Sequence, residues 1–375
     1  MIDVIIPVFR GFAATRRCID SVLAARCSTP HDVVVIDDQS PEPEISAWLS
    51  ALAASGRITL VCHAANRGFV ASVNEGMALH RDRDVVLLNS DTEVADGWLD
   101  RIAACAAGNE RAGTVTPFSN NATICSYPRF CAKNGIPEGS TTASLDRLFA
   151  RVNAGIAVEI PTAVGFCMFI SRKLLDAIGT FDEEAYGRGY GEEVDFCMRA
   201  RRAGYRNLLC ADAFVFHEGE VSFGGSGADR RARAQAIVDA RFPEFQPTLA
   251  EFLKREPVRP FRRRVDLARI AASPRPRVLI VAHAGDGIDE QRIRDAARPL
   301  ARESEVLLLR ANSGGSIGLE WLREGEEFEA RFDSASAWNE CISLLRTLGV
   351  SRVQMGDGDG QSPPMRSLAR ALGAS

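Results

Sequence analysis

The chain has 375 residues, 46% of them hydrophobic and 25% charged, with a formal net charge of −4. That is long for one core and fits two or three domains of an ordinary globular protein, and the acidic balance disfavours wholesale nucleic-acid binding. Ten cysteines form no Cys-x-x-Cys pair and no Cys/His cluster at zinc spacing, which reads as reduced thiols in a cytosolic protein. No apolar run approaches the roughly 18 residues of a spanning helix. The N-terminus enters a strand with no basic region ahead of an apolar segment, so secretion and insertion are not expected. Peripheral contact with a membrane surface stays open.

In chain order, Val4 to Phe9 make a short strand closed by Pro7, and Ala14 to Ala25 carry Cys18, Ile19, Val22 and Leu23 at helical spacing. Asp32 to Asp38 form the next strand, which runs into the acidic, Pro-containing loop DDQSPEPE before a helix at Ile45 to Ala54. A strand at Ile58 to Cys62 leads to HAANRGFVASVNEGMALH, where Gly68 opens a helix whose Phe69, Val73 and Met77 share a face. Then comes DVVLLNSDTEV from Asp84, a buried-strand pattern that breaks off into Asn89, Ser90 and Asp91. Such alternation is the signature of a parallel sheet between helices.

From Thr114 to Val158 the pattern blurs into Asn, Ser, Pro and Gly, with one helix near Leu145 to Val152. AVGFCMFISRKLLDAIG restores a strand and a helix ending at Gly179. A Gly-rich loop then precedes a helix with Glu192, Glu193 and Asp195 in its first turn, and a strand region from Leu208 to Phe216 finishes at His217. The stretch FGGSGADRR reads as a flexible segment ahead of a helix at Ala232 to Ala240. Residues 255–276, rich in Arg and Pro, read as a linker, a solvated hinge or a cationic strip for anionic headgroups. Alternation restarts at Val278 with RVLIVAH, a Gly285 to Gly287 turn, a helix from Asp289, the strand SEVLLLR, a helix near Ala337 to Leu348 and a strand at Arg352 to Met355. About 100 residues are few for a complete doubly wound domain, so residues 277–375 read as a truncated one.

Three pieces carry chemistry. In an open α/β sheet ligands lie beyond the carboxyl ends of the strands. There, Asp37 and Asp38 can accept hydrogen bonds from a base or ribose, or can serve a charged turn. Asp91, after Asn89 and Ser90, can reach a hard cation or a phosphate, or cap a turn. Glu192 and Asp195, three apart, share a helix face, where carboxylates raise one another's pKa and suit a general base; capping by the helix dipole explains any one of them equally well. His217 follows a strand, as a ligand to a cation held by Asp91 would, or is a satisfied imidazole.

The ordered set IDVIIPVF, VIDDQS, NRGFVASVNEG, LLNSDTEV, AVGFCMFISRKLLDAIGTFDE, YGEEVDFCMRARRAGYR and VFH resembles the family 2 glycosyltransferases with the GT-A fold, especially rhamnosyltransferase-like members of bacterial polysaccharide assembly. The match spans residues 1–254 as a domain. It implies inverting transfer of a sugar from a nucleotide-sugar donor to a glycan or lipid-linked acceptor, with Mg²⁺ or Mn²⁺ on the diphosphate. Carried over, Pro7 and Phe9 line the base, Asp37, with Asp38 beside it, bonds the base ring, and Asn66, Arg67, Gly68 and Asn74 close around the nucleotide. Asn89, Ser90 and Gly165 shape the donor pocket. Asp91 is the metal-facing acid of an Asp-x-Asp motif whose first acid is here Asn89, which gives His217 more weight as a metal ligand. Glu193 is the expected catalytic base, beside Glu192, with Asp195 as alternative or support. The segment from RVLIVAH is similar to the opening of a family 4-like GT-B transferase, a partial Rossmann-like unit. The rival from another class is a nucleotide-sugar-binding scaffold without turnover, which Asn89 in place of Asp keeps open.

Overall fold

The computed structural model describes residues 1–219, 227–283, 290–311, 316–333, 336–355, 368 and 370–372. The chain divides into two compact units, Met1–Arg259 and Pro260–Ser375.

The first unit alternates β1 (Ile2–Val8), α1 (Phe12–Ala24), β2 (His31–Asp37), α2 (Pro43–Ala54), β3 (Thr59–Cys62), α3 (Phe69–Leu79) and β4 (Asp84–Leu88). It continues through β5 (Thr92–Glu93), α4 (Trp98–Ala107), β6 (Ala112–Phe118), a 3-10 turn at Thr123–Cys125, α5 (Thr142–Val152), β7 (Ala157–Glu159) and β8 (Cys167–Ile170). It closes with α6 (Arg172–Ile178), α7 (Glu183–Tyr186), α8 (Glu192–Arg202), β9 (Arg206–Phe214), β10 (Phe216–His217), α9 (Gly227–Arg241) and α10 (Phe245–Arg255). Eight strands form one sheet in the order β3-β2-β1-β4-β8-β6-β9-β7. Neighbours β3, β2, β1 and β4 run parallel, as do β6 and β9. Strand β8 runs against both β4 and β6, and β7 against β9.

Unbroken apolar runs such as VVLL in β4 suit a sheet covered on both faces, where no strand face meets water. Val85, Val86, Leu87 and Leu88 are all fully buried. On one side Ile5, Val34, Leu87 and Met168 pack with Val73 and Met77 of α3 and Phe196 of α8.

Two sequence expectations change. The stretch from Thr114 was read as irregular, but β6 is an interior strand. Its pattern is masked by Gly113 and by Pro117, which has no N–H to give, and the ladder slips register at Pro117/Phe118. The 255–276 stretch is mostly helical: α11 (Arg259–Ala272) buries Arg262, Val265, Asp266 and Ile270. Its arginines pair with acids, Arg269 with Glu326 at 2.6 Å, which composition alone does not reveal.

The second unit continues with β11 (Arg277–His283), α12 (Glu290–Leu300), β12 (Glu305–Ala311), β13 (Ile317–Trp321), β14 (Glu329–Phe332), α13 (Ala337–Leu348) and β15 (Arg352–Met355). Its sheet order is β14-β13-β12-β11-β15. Strands β12 and β15 run parallel to β11, while β13 and β14 are antiparallel additions that the sequence reading did not anticipate. The Gly285 to Gly287 turn and most of FGGSGADRR lie outside the described residues.

Candidate active site

The parallel strands β1, β2, β4, β6 and β9 end on one edge of the sheet. Strand β8 starts there, since Cys167 pairs with Leu88. Asp37 and Asp38, the Asn89–Asp91 segment, Gly165 and His217 therefore share this edge, the place where open α/β sheets hold ligands. Pro7 lies in the last turn of β1, and Phe9 follows it, half-buried, with the Arg10 guanidinium 4.9 Å from its ring centroid.

His217 and Asp91 meet through a small ribbon in which β5 and β10 pair antiparallel, Thr92 opposite His217. The His217 Nε2 atom lies 3.4 Å from Asp91 Oδ1 and 3.5 Å from Asn89 Nδ2. Its Nδ1 lies 2.7 Å from the Asn121 carbonyl. A carbonyl only accepts, so Nδ1 carries a hydrogen and Nε2 is the ring atom left facing Asp91. Asn120 fixes the strand itself, accepting from the His217 N–H at 2.8 Å and donating to the His217 carbonyl at 2.9 Å. The ring stacks on Phe166, centroids 5.2 Å apart. Burial works to raise the Asp91 carboxyl, but the facing His217 and the Gly219 N–H, which donates to Oδ2 at 2.9 Å, outweigh it and hold it below the usual range.

A carboxylate oxygen and an imidazole nitrogen 3.4 Å apart match the separation of two ligands on one ion, about 3–3.5 Å. Carboxylate oxygen plus imidazole nitrogen suits Mn²⁺ at least as well as Mg²⁺. The set is small: among the described residues no group of three His, Cys, Asp or Glu gathers for a metal, so the Asp91–His217 pair fits an ion that takes its other ligands from a bound diphosphate.

Helix α8 opens at Gly191, whose φ of 84° is left-handed. Glu192 and Glu193 each have a buried Oε2 without a hydrogen-bond partner. Burial, then the neighbouring Glu193 charge, push Glu192 well up, and burial raises Glu193 as well. Carboxyls held in this way bind a proton more tightly than free ones do, a property that suits a general base. One helical turn on, the Cys197 thiol accepts from the Ala163 N–H at 3.3 Å. That packs this face of α8 against the segment leading through Gly165 to β8.

Asp195 is differently placed. Fully buried, it accepts from Arg199 Nε at 2.7 Å, from Arg241 Nη1 at 2.9 Å and from the Tyr186 hydroxyl at 3.2 Å. Those bonds brace α7, α8 and α9, which fits support rather than proton transfer. Asn74 is likewise engaged, bonding both the carbonyl and the N–H of Phe181.

Asp37 accepts from the Ser40 N–H at 2.8 Å and the Ser46 hydroxyl at 2.6 Å, so its nearer lone pairs shape the DDQS turn. Asp38 accepts from the Arg67 and Gly68 N–H groups, each at 2.7 Å. The Asn66 amide donates to the Asp38 carbonyl at 3.3 Å. Gly68 is required twice over: its φ is 91°, and a Cβ there would lie 2.9 Å from Arg188 Cα. The turn after β1 is no phosphate cradle, because Glu42 already accepts from the Gly11 and Phe12 N–H groups.

Sequence reasoning missed His63, Arg188, Asn120 and Asn121. His63 precedes the NRG motif by three residues and Asn120–Asn121 is a polar pair in an irregular stretch, so neither showed a pattern.

Residues 3–179 match the family model described as glycosyl transferase family 2. The chain is 25% identical over 251 residues to uncharacterized protein y4gI of Sinorhizobium fredii, covering 64% of this chain and 27% of that protein. It is 27% identical over 213 residues to the low-salt glycan biosynthesis hexosyltransferase Agl10 of Haloferax volcanii, covering 53% and 62%. The chain thus spans less than two thirds of either relative. Among solved structures it is similar to GalNAc-T7 with UDP, GalNAc and Mn²⁺ (TM-score 0.49, 16% identity, 70% of this chain and 52% of that one). It is also similar to the mannosyltransferase PcManGT of Pyrobaculum calidifontis with GDP-Man and Mn²⁺ (TM-score 0.44, 18% identity, 80% of each chain). The segment similar to glycosyl transferase family 2, residues 3–179, carries most of the strands of the mostly parallel α/β sheet.

Proposed function

We propose that the chain transfers a sugar, with inversion, from a nucleoside-diphosphate donor to a hydroxyl of a glycan or lipid-linked acceptor, in bacterial surface polysaccharide synthesis such as O-antigen or capsule. The observation that carries the chemistry is the pairing on one sheet edge of Asp91 with His217, 3.4 Å apart, and the buried Glu192–Glu193 pair at the head of α8. Phe9, Asp37, Asp38 and the Asn66–Gly68 turn hold the nucleotide. Asp91 and His217 hold a Mn²⁺ or Mg²⁺ ion, which when bound neutralises the charge that grows on the departing diphosphate. Glu193 takes the proton of the attacking hydroxyl, its raised affinity for that proton arising from burial. The work is done in the cytoplasm, within reach of the inner face of the membrane, and the second unit is a GT-B-like, Rossmann-like piece.

The test is release of nucleoside diphosphate from a panel of nucleotide sugars with Mn²⁺ and an acceptor. The wild type turns over one donor class, and Asp91→Ala and Glu193→Gln suppress it. A folded wild-type protein that binds a nucleotide sugar yet never releases the diphosphate supports the scaffold reading, which Asn89 at the first acid position of the motif favours.

A further inference from the structure

His63 sits at the end of β3 with its side chain 4% exposed. Its Nδ1 lies 2.7 Å from Asp38 Oδ1 and its Nε2 3.1 Å from Glu75 Oε2. Each ring nitrogen lies within hydrogen-bond distance of a carboxylate oxygen, so the ring joins the two acids. A ring held at both ends in a closed site is stiff, and so are the groups bonded to it. Asp38 also accepts from the Arg67 and Gly68 N–H groups, each at 2.7 Å. Glu75, from α3, also accepts from Arg67 Nη1 at 2.6 Å. The turn is therefore clamped from two sides, its backbone by Asp38 and its arginine by Glu75, and the imidazole joins the two clamps. Gly68 in turn lies against the Arg188 backbone, too close for a Cβ, and Arg188 belongs to the Gly187–Gly191 segment that leads into α8.

We propose that His63 is a positioning residue for nucleotide binding: by holding Asp38 through Nδ1, with Glu75 steadying the far side of the ring, it sets the Arg67–Gly68 turn against the Gly187–Gly191 segment. The imidazole itself touches no substrate. The nucleotide part of this role rests on the transferase reading above, whereas the clamping of the turn does not.

Three variants of the full chain separate the two ring bonds. Asparagine places its amide N–H₂ near the position of Nδ1, glutamine near that of Nε2, and alanine near neither. Hydrogen exchange then reads the Arg67 and Gly68 amides, and titration with UDP and GDP in Mn²⁺ reads binding. In His63→Ala and His63→Gln, protection of both amides falls and the nucleotide dissociation constant rises roughly ten-fold, the worth of one hydrogen bond to a charged group. His63→Asn keeps protection and affinity within about two-fold of the wild type. A thermal melt confirms that each variant is folded. Unchanged protection in all three, or equal loss in Asn and Ala, overturns the proposal whether or not nucleotide binds. Loss of protection with unaltered nucleotide affinity also overturns it. A wild type that binds neither nucleotide defeats the transferase reading and the nucleotide part of this proposal, while exchange still decides the clamp.

Discussion

Asn120 grips His217 by both backbone groups, accepting from its N–H at 2.8 Å and donating to its carbonyl at 2.9 Å, and the neighbouring Asn121 carbonyl takes the ring's Nδ1 hydrogen at 2.7 Å. The loop after β6 thus aims an imidazole that belongs to β10. Asn120→Ala removes both bonds, and orienting partners of this kind are worth about 10–100-fold in metal affinity or activity. The expected outcome is a Mn²⁺ requirement shifted upward by that factor, with turnover recovered at saturating metal. A melt within a few degrees of the wild type distinguishes this from global damage.

Glu193→Gln keeps the volume of the side chain and removes the proposed proton acceptor. Turnover falls by about two to four orders of magnitude, while donor affinity, read by titration, stays within about three-fold of the wild type. Comparable turnover in the variant removes Glu193 from the mechanism.

Glu192 makes a stability prediction with a definite sign. Its folded-state carboxyl is raised above the ordinary 4.5 by burial and by Glu193. The folded chain therefore holds the proton more tightly than the unfolded chain. The stability linked to that proton is fully present below pH 4.5 and is lost as pH rises through the folded-state value. Glu192→Gln mimics the protonated form. It raises the melting temperature at pH 8 by roughly 2–4 °C, the scale of about 1 kcal/mol in a domain of this size, and the gain vanishes near pH 4. Equal gains at both pH values contradict the assigned burial.

Asp195→Asn separates a brace from a base. It leaves Arg199 and Arg241 short of the carboxylate they share. The cost is about 2–3 kcal/mol, below the roughly 3–5 of a fully enclosed pair because both guanidinium groups reach water. Thermal unfolding shows the loss, and at a temperature where the variant is folded its turnover stays within about ten-fold of the wild type.

The strands of the first unit were legible because buried parallel strands are written as apolar runs, and Asp37, Asn89 and Asp91 stood out as polar residues where those runs stop. What was not legible is pairing at a distance. Nothing around Asn120 announces that its amide will hold a strand ending at His217, and Asp37, Asp38 and Asp195 look alike in sequence. Only packing separates a carboxylate that accepts from Ser40 and Ser46, one that accepts from the Arg67–Gly68 turn and one locked between two arginines. Strand β6 escaped because Pro117 breaks the pattern inside the sheet. The Arg/Pro stretch misled because arginines paired on a helix read the same as arginines on a solvated hinge.

Binding of Mn²⁺ followed by electron paramagnetic resonance, with and without a nucleoside diphosphate, tests the sheet-edge site most directly. One Mn²⁺ per chain bound in the presence of UDP or GDP, weak binding without it, and loss of that ion in both Asp91→Ala and His217→Ala is the predicted result. Undiminished Mn²⁺ occupancy in either variant, with the nucleotide still bound, places the cation elsewhere and contradicts the account.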